Sequence, residues 1–315
     1  MATRRSLIID CDPGVDDGVA LLLAFAARHE LNLLGITTVA GNVGAALTAR
    51  NACIIREIAA CEDIPVHAGG ERPLQREPVE ASHFHGESGL GNLPLFAPRC
   101  GPSSVGAVEF LLATLEGAAE RSITLVATGP LTNIASALLQ RPHIAGAIGE
   151  IALMGGARSE GGNITASAEY NIYADPHAAQ VIFGSDIPVL AFGLDVTHQV
   201  RATPPRIASL QQLGNPSGMA AANLLQFASQ LPANGPPEVG SPLHDPCPIA
   251  WLLQPELFEF KSCYVDVETN SPLTLGHTAV EFRPSPSRPQ NVRWAIKADA
   301  DGIFALFEHE LARRH

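Results

Sequence analysis

Short apolar runs alternate with amphipathic stretches through the first part of this chain. The runs that predict strands are residues 6–10, 31–40, 64–68, 123–127, 151–154 and 189–194. The stretches that predict helices between them are residues 17–28, 44–60, 131–140 and 176–183. Alternation of this kind favours right-handed crossovers between parallel strands. We therefore predict an α/β fold in which helices flank a mostly parallel, Rossmann-like sheet.

The pattern is less regular after residue 200. Helical pieces and a Pro-rich stretch (231–237) fill the region from about 201 to 240, and an apolar helix follows at 246–253. Further strands are predicted at residues 264–267, 278–282 and 292–296, with a closing helix at 303–313. Neither an internal repeat nor a clear linker divides the chain. We therefore predict one domain over residues 1–315, with an irregular helical region inside it.

The carboxyl ends of the predicted parallel strands are the expected position of a site, because ligands of such sheets bind there. That rule alone selects the segment 10–17 and the residues Asn42, Thr128 and Met154. A site is thus predicted at this edge of the sheet before any chemistry is considered.

The segment 10–17 has the sequence DCDPGVDD and holds four carboxylates: Asp10, Asp12, Asp16 and Asp17. Packing like charges this closely is costly unless protons or a cation compensate them. Ca²⁺ and Mg²⁺ take several oxygen ligands from carboxylates, backbone carbonyls and water. A polar turn with a helix cap is the simpler interpretation of a lone Asp-Pro-Gly sequence. Four acids at one strand end instead favour a functional cluster.

Two further groups of polar residues have suitable chemistry. His244 and Asp245 open an apolar helix, where the carboxylate could complete a metal shell and the imidazole could donate a proton near neutral pH. Asn163, Glu169 and Asn171 combine amides with a carboxylate, which suits hydrogen bonds to sugar hydroxyls. The alternatives are a surface pair or helix cap for the first group, and a Gly-rich surface loop for the second.

A histidine-containing loop, residues 83–89, could close over a ligand or could be a mobile loop without chemistry. Several other motifs are absent from the sequence. The chain has no Walker loop, no GxGxxG between a strand and a helix, no HExxH and no CxxC pair. Residues 86–89 miss the GxSxG nucleophile elbow by their spacing.

Composition narrows the class of partner. The 315-residue chain has 32 acidic and 20 basic residues and a formal net charge of −12, which argues against nucleic acid and anionic membranes. Its six cysteines lie mostly in apolar stretches, as reduced, buried cysteines of cytosolic proteins do. We recognise neither a signal peptide nor an apolar run of membrane-spanning length, and we predict a cytoplasmic protein.

Together these motifs resemble those of the inosine–uridine type nucleoside hydrolases. The family's opening pattern, DxDPGxDD, is present whole at residues 10–17. Its other blocks stand here in order: Thr37-Thr38-Val39-Ala40-Gly41-Asn42, His85-Gly86, Ala127-Thr128-Gly129-Pro130-Leu131-Thr132-Asn133, Met154-Gly155-Gly156, Asn163 with Glu169-Tyr170-Asn171, and His244-Asp245-Pro246. The resemblance covers nearly the whole chain and is weakest between about 201 and 240. It implies hydrolysis of the N-glycosidic bond of a ribonucleoside, and a homodimer or homotetramer.

The resemblance also implies a role for each matched position. The implied Ca²⁺ ligands are the carboxylates of Asp12, Asp17 and Asp245 and the backbone carbonyl of Thr128. The residues implied to contact the ribose are Asn42, Met154, Asn163, Glu169 and Asn171. The implied catalytic residues are Asp16, as general base, and His244, as donor to the departing base, which His85 approaches from the loop. Asp10 would support the cluster without binding the ion.

One region departs from the family pattern. Many relatives place tyrosines in the helix that covers the base, whereas residues 221–230 here offer Asn223, Gln226 and Phe227. Loss of a phenolic donor changes the surroundings of the base, and we favour a pyrimidine ribonucleoside as the substrate.

Two other functions are compatible with parts of the sequence. A Mg²⁺-dependent phosphotransferase of the haloacid dehalogenase type also begins with a strand and Asp-x-Asp, with Asp10 as nucleophile and Asp12 as acid/base. That family has Thr or Val where Gly14 stands here. A non-catalytic relative would bind Ca²⁺ or nucleoside without cleaving it. Phosphate release from a phosphoester would indicate the first alternative, and binding without ribose release the second.

Overall fold

A mostly parallel β-sheet runs through the centre of the computed structural model, which describes residues 4–232 and 235–313. Its strands and those of a small ribbon are β1 (Arg5–Cys11), β2 (Leu31–Thr38), β3 (Val66–Ala68), β4 (Ile123–Ala127), β5 (Ile148–Met154), β6 (Val189–Phe192), β7 (Arg201–Ala202), β8 (Ser241–Pro242), β9 (Phe258–Val267), β10 (Thr278–Glu281) and β11 (Val292–Ala298). The sheet has the order β10-β9-β11-β6-β5-β4-β1-β2-β3, and β7 pairs with β8 in the ribbon. Neighbouring strands in the part of the sheet with the order β11-β6-β5-β4-β1-β2-β3 are all parallel. Strand β9 is antiparallel to both β11 and β10.

Helices cover both faces of the sheet. They are α1 (Val15–Ala26), α2 (Ala45–Ile58), α3 (Ser82–His85), α4 (Ala107–Glu116), α5 (Thr132–Gln140), α6 (Tyr170–Ala174), α7 (Pro176–Phe183), α8 (Leu194–Thr197), α9 (Pro204–Gln212), α10 (Pro216–Ser229), α11 (Pro246–Leu253) and α12 (Ala300–Leu311). Leu7 and Ile9 of β1 pack in one buried cluster with α1, α10 and α11, whereas Ile8 packs in another with α4, α5 and α7. Successive side chains of a strand point to opposite faces, so a strand that is apolar throughout needs cover on both sides.

The predicted α/β class with a mostly parallel sheet is confirmed, although several bounds differ. Strand β9 begins at Phe258, before the predicted residue 264, because apolar and charged residues alternate in its first half and form no apolar run. Helix α4 is an additional element that was not predicted. Ala233 and Asn234 of the predicted Pro-rich stretch lie outside the described residues.

The structure also addresses the expectations that the cysteines are reduced and that no segment spans a membrane. All six cysteines are free, and five of them are buried; Cys100 is exposed. Within residues 4–232 and 235–313, no helix combines the length and the apolar character needed to cross a membrane.

Candidate active site

A cavity of about 390 Å³ opens at the carboxyl ends of the parallel strands. Thr128 directly follows β4, Met154 ends β5, and Asp16 lies in the first turn of α1 after β1. The predicted site residues that line it are Asp16, Asn42, His85, Thr128, Met154, Asn163, Glu169, Asn171, His244 and Asp245. Asp12 and Asp17 have no exposed surface and hydrogen-bond to residues that line the cavity. The structure therefore gathers all of the predicted residues at one place.

The turn that follows β1 lies unusually close to neighbouring side chains. A Cβ atom at Gly14 would lie 2.4 Å from His85 Nδ1 and 2.6 Å from Asn42 Nδ2. A Cβ atom at Gly41 would lie 2.0 Å from Asp12 Oδ2. Only glycine permits such approaches. These two glycines let the turns after β1 and β2 close on each other and bring the acids together.

Asp12 and Asp17 are held by several donors. The Asn42 backbone N–H donates to Asp12 Oδ2 at 2.7 Å, and its side-chain amide donates to Asp17 Oδ2 at 3.0 Å. The Thr128 hydroxyl donates to Asp17 Oδ1 at 2.8 Å. Asp12 Oδ1 is buried and has no hydrogen-bond partner among the described residues. Because an unsatisfied buried oxygen is costly, this atom is suited to bind a cation.

Asp16, Asp17 and Asp245 converge beside Asp12. One carboxylate oxygen from each of these three residues lies within 4.8 Å of the other two. Burial raises the pKa of Asp17 to about 6, and the charge of Asp16 adds to this effect. Burial also raises the pKa values of Asp12 and Asp245 well above their ordinary range, and neighbouring carboxylates raise them further. The cluster therefore requires protons or a positive charge near neutral pH, and its oxygen ligands fit a hard divalent cation such as Ca²⁺.

Asp10 lies behind this cluster and is buried. Its Oδ1 accepts hydrogen bonds from the Thr37 hydroxyl at 2.6 Å and from the Asn133 amide at 2.8 Å. Burial raises the pKa of Asp10 to about 7. An acid so enclosed can hold the strand ends together, but it cannot reach a substrate in the cavity as a nucleophile must.

A polar wall stands beside the acids. The Glu169 carboxylate accepts backbone N–H groups at the start of α6, including that of Asn171 at 3.0 Å. The Asn171 amide donates to the backbone carbonyls of Thr128 at 2.7 Å and Met154 at 3.2 Å. Burial raises the pKa of Glu169 to about 7. Carboxylate and amide oxygens accept more than one hydrogen bond, so Glu169, Asn171 and the exposed Asn163 can still bind hydroxyl groups.

The two predicted histidines reach the cavity from different elements. His85 Nδ1 accepts the backbone N–H of Val15 at 3.0 Å and lies 3.9 Å from Asp16 Oδ1. His244 Nδ1 lies 2.8 Å from the Thr197 hydroxyl oxygen. Burial lowers the pKa of His85 to about 4 and that of His244 to about 3. Both imidazoles are therefore neutral at pH 7, and the bond from Val15 places the proton of His85 on Nε2.

Comparison with known proteins decides the family. The family model described as inosine-uridine preferring nucleoside hydrolase matches residues 7–305. The chain belongs to this family. The pyrimidine-specific ribonucleoside hydrolase RihA of Shewanella sp. (strain MR-7) is 44% identical over 311 residues, which cover 98% of this chain and 96% of that relative. This nucleoside hydrolase thus cleaves ribonucleosides into ribose and free base.

Solved structures of nucleoside hydrolases share the fold. The plant nucleoside hydrolase PpNRh1 superposes with a TM-score of 0.91 at 30% identity, covering 99% of this chain and 100% of that one. The purine-preferring ribonucleoside hydrolase from Gardnerella vaginalis gives a TM-score of 0.90 at 30% identity, covering 98% of both chains. The predicted family and activity are confirmed, and the haloacid dehalogenase alternative is wrong for this hydrolase.

The helix α10 of this nucleoside hydrolase presents other residues to the cavity than the sequence suggested. Asn223 and Gln226 are exposed and do not line it, and Phe227 packs against glycines of the loop that follows α3. Leu225 and Ala228 line the cavity instead, because residues three apart share one face of a helix. The expectation that Asn223, Gln226 and Phe227 surround the base is wrong.

Two residues that line the cavity of the hydrolase, a histidine and an arginine, were not predicted from the sequence. His198 and Arg201 line the cavity from the C-terminal end of α8 and from β7. Helix α8 begins directly after Gly193, at the carboxyl end of β6, so the strand-end rule could have found His198. Arg201 lies in the irregular region, where no pattern in the sequence marks it.

Proposed function

We propose that this nucleoside hydrolase binds one Ca²⁺ ion with the carboxylates of Asp12, Asp17 and Asp245 and the backbone carbonyl of Thr128. The observation that carries this proposal is the unpartnered Asp12 Oδ1 beside the cluster in which Asp16, Asp17 and Asp245 oxygens lie within 4.8 Å. The family is metal-dependent, which supports a metal at these acids. A bound Ca²⁺ would supply positive charge that fixes sugar hydroxyls and lowers the pKa of a water molecule.

Asp16 is the general base of the proposed reaction. Its side chain is 20% exposed, whereas Asp12 and Asp17 are fully buried and Asp245 is nearly so. Asp16 can therefore meet a water molecule in the cavity and take its proton as the water oxygen attacks the anomeric carbon. The new C–O bond replaces the C–N bond, and the electron pair of the C–N bond leaves with the base.

The polar wall binds the ribose in this proposal. Asn163, Glu169 and Asn171 offer amide and carboxylate groups, Asn42 offers an amide, and Met154 supplies an apolar contact. Positive charge develops on the sugar as the C–N bond breaks, and the surrounding carboxylates stabilise it. Holding the sugar in one orientation over Asp16 also raises the rate, because the reacting groups are already positioned next to each other when the bond breaks.

The departing base lies against the histidine side of the cavity in this proposal. His244 and His85 are neutral at pH 7, so each can donate a hydrogen bond without carrying a charge. His85 would use its Nε2 proton, because its Nδ1 accepts the Val15 N–H. These bonds stabilise the negative charge that the base acquires.

A pyrimidine is the proposed base. The wall beyond the acids includes Leu225, Ala228 and Leu231, which are aliphatic and leave hydrogen bonding to the histidine side. The relative from Shewanella sp. (strain MR-7) is named as pyrimidine-specific, and its 44% identity spans nearly the whole chain. The specificity of this relative favours uridine and cytidine over inosine.

Three broader expectations also remain proposals. They are that residues 1–315 form one domain, that two or four copies associate, and that the protein works in the cytoplasm. Light scattering of the purified protein would test the second, since a monomer mass would contradict it.

A reducing-sugar assay across a panel of nucleosides, with and without a chelator, tests the proposal. We expect ribose release from uridine and cytidine to exceed release from inosine, to stop when a chelator removes the ion, and to return with added Ca²⁺. Undiminished release in excess chelator would refute the metal site. A strong preference for inosine would refute the pyrimidine assignment alone.

A further inference from the structure

A second histidine–carboxylate pair, His198 with Glu160, lies at the cavity beside His244. His198 lines the cavity, and its Nδ1 lies 3.0 Å from Glu160 Oε2. The ring centre of His198 is 5.7 Å from that of His244, so both imidazoles lie on the same side. The His198 side chain is 27% exposed and that of Glu160 is 44% exposed. His198 thus has a carboxylate at hydrogen-bond distance, whereas His85 lies 3.9 Å from Asp16 and its side chain is only 15% exposed.

The surrounding structure holds this pair in place. Both oxygens of Asp195 accept backbone N–H groups of the loop that carries Glu160, at 2.8 Å from Arg158 and 2.7 Å from Ser159. The loop is thereby tied to α8, the helix that ends at His198. The Arg201 guanidinium donates to the backbone carbonyl of His198 at 3.2 Å. Hydrogen bonds therefore hold both the loop that carries Glu160 and the backbone of His198.

The arrangement determines which ring nitrogen of His198 is available. Glu160 accepts the proton on Nδ1, as a carboxylate does for a histidine in many proton-transfer sites. The nitrogen left for the cavity is Nε2. In the protonated ring Nε2 carries a proton that it can give away, and the ring then recovers one from solvent. The groups that face this imidazole are Glu160, His244 and Arg201, with Asp195 on its own helix.

We propose that His198 is the proton donor to the departing base and that Glu160 is its positioning residue. As the C–N bond breaks, its electron pair moves onto the base nitrogen. The Nε2–H bond of His198 breaks at the same stage, and the base nitrogen or a conjugated carbonyl oxygen takes that proton. His198 becomes neutral, while Asp16 holds the proton that came from water. The inference rests on the proposed roles of the acids, and it extends them to the other half of the reaction.

Two substrates separate this role from general damage to the site. Uracil leaves poorly without a proton, whereas the 4-nitrophenolate of 4-nitrophenyl β-D-ribofuranoside is stable as an anion. We expect His198→Gln to lower kcat for uridine by about 10²-fold, with KM little changed, and to leave the nitrophenyl riboside within about threefold. Glu160→Gln should lower kcat for uridine by about tenfold with the same selectivity, and Glu160→Asp should recover part of it.

The control is His143→Gln, which removes an exposed histidine that also lies near a glutamate and should change neither rate. Thermal unfolding of each variant verifies that it is folded. Equal losses on both substrates in His198→Gln, or an unchanged kcat for uridine, would overturn the proposal. Asp16→Asn should impair both substrates; if it impairs neither, the assignment of Asp16 fails while that of His198 still stands or falls by its own variants.

Discussion

The two ends of the cavity are built in opposite ways. Asp12 and Asp17 are fully buried and come from one short segment between β1 and α1. The opposite end uses side chains from α8, α10 and the β7–β8 ribbon, and several of them are partly exposed. The acidic end is thus deeply buried and takes most of its acids from one segment, with Asp245 added from a distant one, whereas the other end is assembled from several distant and more accessible elements.

The two ends also differ in charge, and this difference matches the reaction. Carboxylates surround the position proposed for the sugar, and histidines with Arg201 surround the position proposed for the base. Breaking the C–N bond places positive charge on the sugar and negative charge on the base. The carboxylates at one end, and at the other the Arg201 charge with the hydrogen-bond donors of the neutral histidines, stabilise the transition state more than the ground state. Substitutions at the acidic end should therefore change the rate of bond cleavage, and substitutions at the other end should change the preference for the base.

The largest expected effect comes from the acidic end. Asp16→Ala should lower kcat by about 10²–10⁴-fold, because it removes the general base, while KM changes little. Steady-state kinetics with uridine measures both constants. Asp63→Ala, which changes an exposed aspartate elsewhere, serves as the control. A near-wild-type kcat in Asp16→Ala would mean that the base is another residue.

The stability of the metal-free protein should depend on Asp17 and pH. Its pKa rises from 3.8 to about 6 on folding, so its stabilisation is complete below pH 4 and is lost as pH rises through 6. The free energy of unfolding of the wild type, minus that of Asp17→Asn, should therefore fall by about 3 kcal/mol between pH 3 and pH 8. Urea titrations in chelator measure this difference. His244 titrates with the opposite sign, and its contribution cancels in this difference because Asp17 does not affect its pKa. His85 also titrates with the opposite sign, and part of its contribution remains because the Asp17 charge raises its pKa.

A pH-independent difference would show that Asp17 carries no raised pKa in the folded protein. Saturating Ca²⁺ should remove most of the pH dependence, because the ion compensates the ionised carboxylates.

A smaller effect is expected behind the acids. Asp10→Asn should weaken Ca²⁺ affinity by about 10–100-fold, since Asp10 orients the strand ends through Thr37 and Asn133 and does not line the cavity. Calorimetric titration with Ca²⁺ measures the affinity, and Asp186→Asn at an exposed position is the matched control. Equal Ca²⁺ affinity in Asp10→Asn and in the wild type would show that Asp10 does not contribute to ion binding.

The smallest effect is expected at the base end. Leu225→Ala enlarges the aliphatic wall and should raise the ratio of kcat/KM for inosine to that for uridine by about tenfold. Gln226→Ala, the exposed neighbour on α10, should leave the ratio unchanged. A ratio that does not respond to Leu225→Ala would show that this wall does not select the base.

The same contrast explains what could be predicted from the sequence. The segment 10–17 was recognisable because strand, turn and acids are contiguous, and strand ends of a parallel sheet meet at one edge. Asp245 is distant in sequence and was placed there through the family resemblance. His198 and Leu225 depend on where α8 and α10 pack, which periodicity does not determine. The wrong expectation for Asn223 and Gln226 has the same origin, since the inward face of a helix is decided by tertiary packing.

The central claim is that the aspartates at the strand ends hold a calcium ion, and a crystal structure grown with saturating Ca²⁺ tests it most directly. The account predicts density for one ion at about 2.3–2.6 Å from oxygens of Asp12, Asp17 and Asp245. Density for the ion on other residues, or an aspartate cluster that stays empty under those conditions, would contradict it.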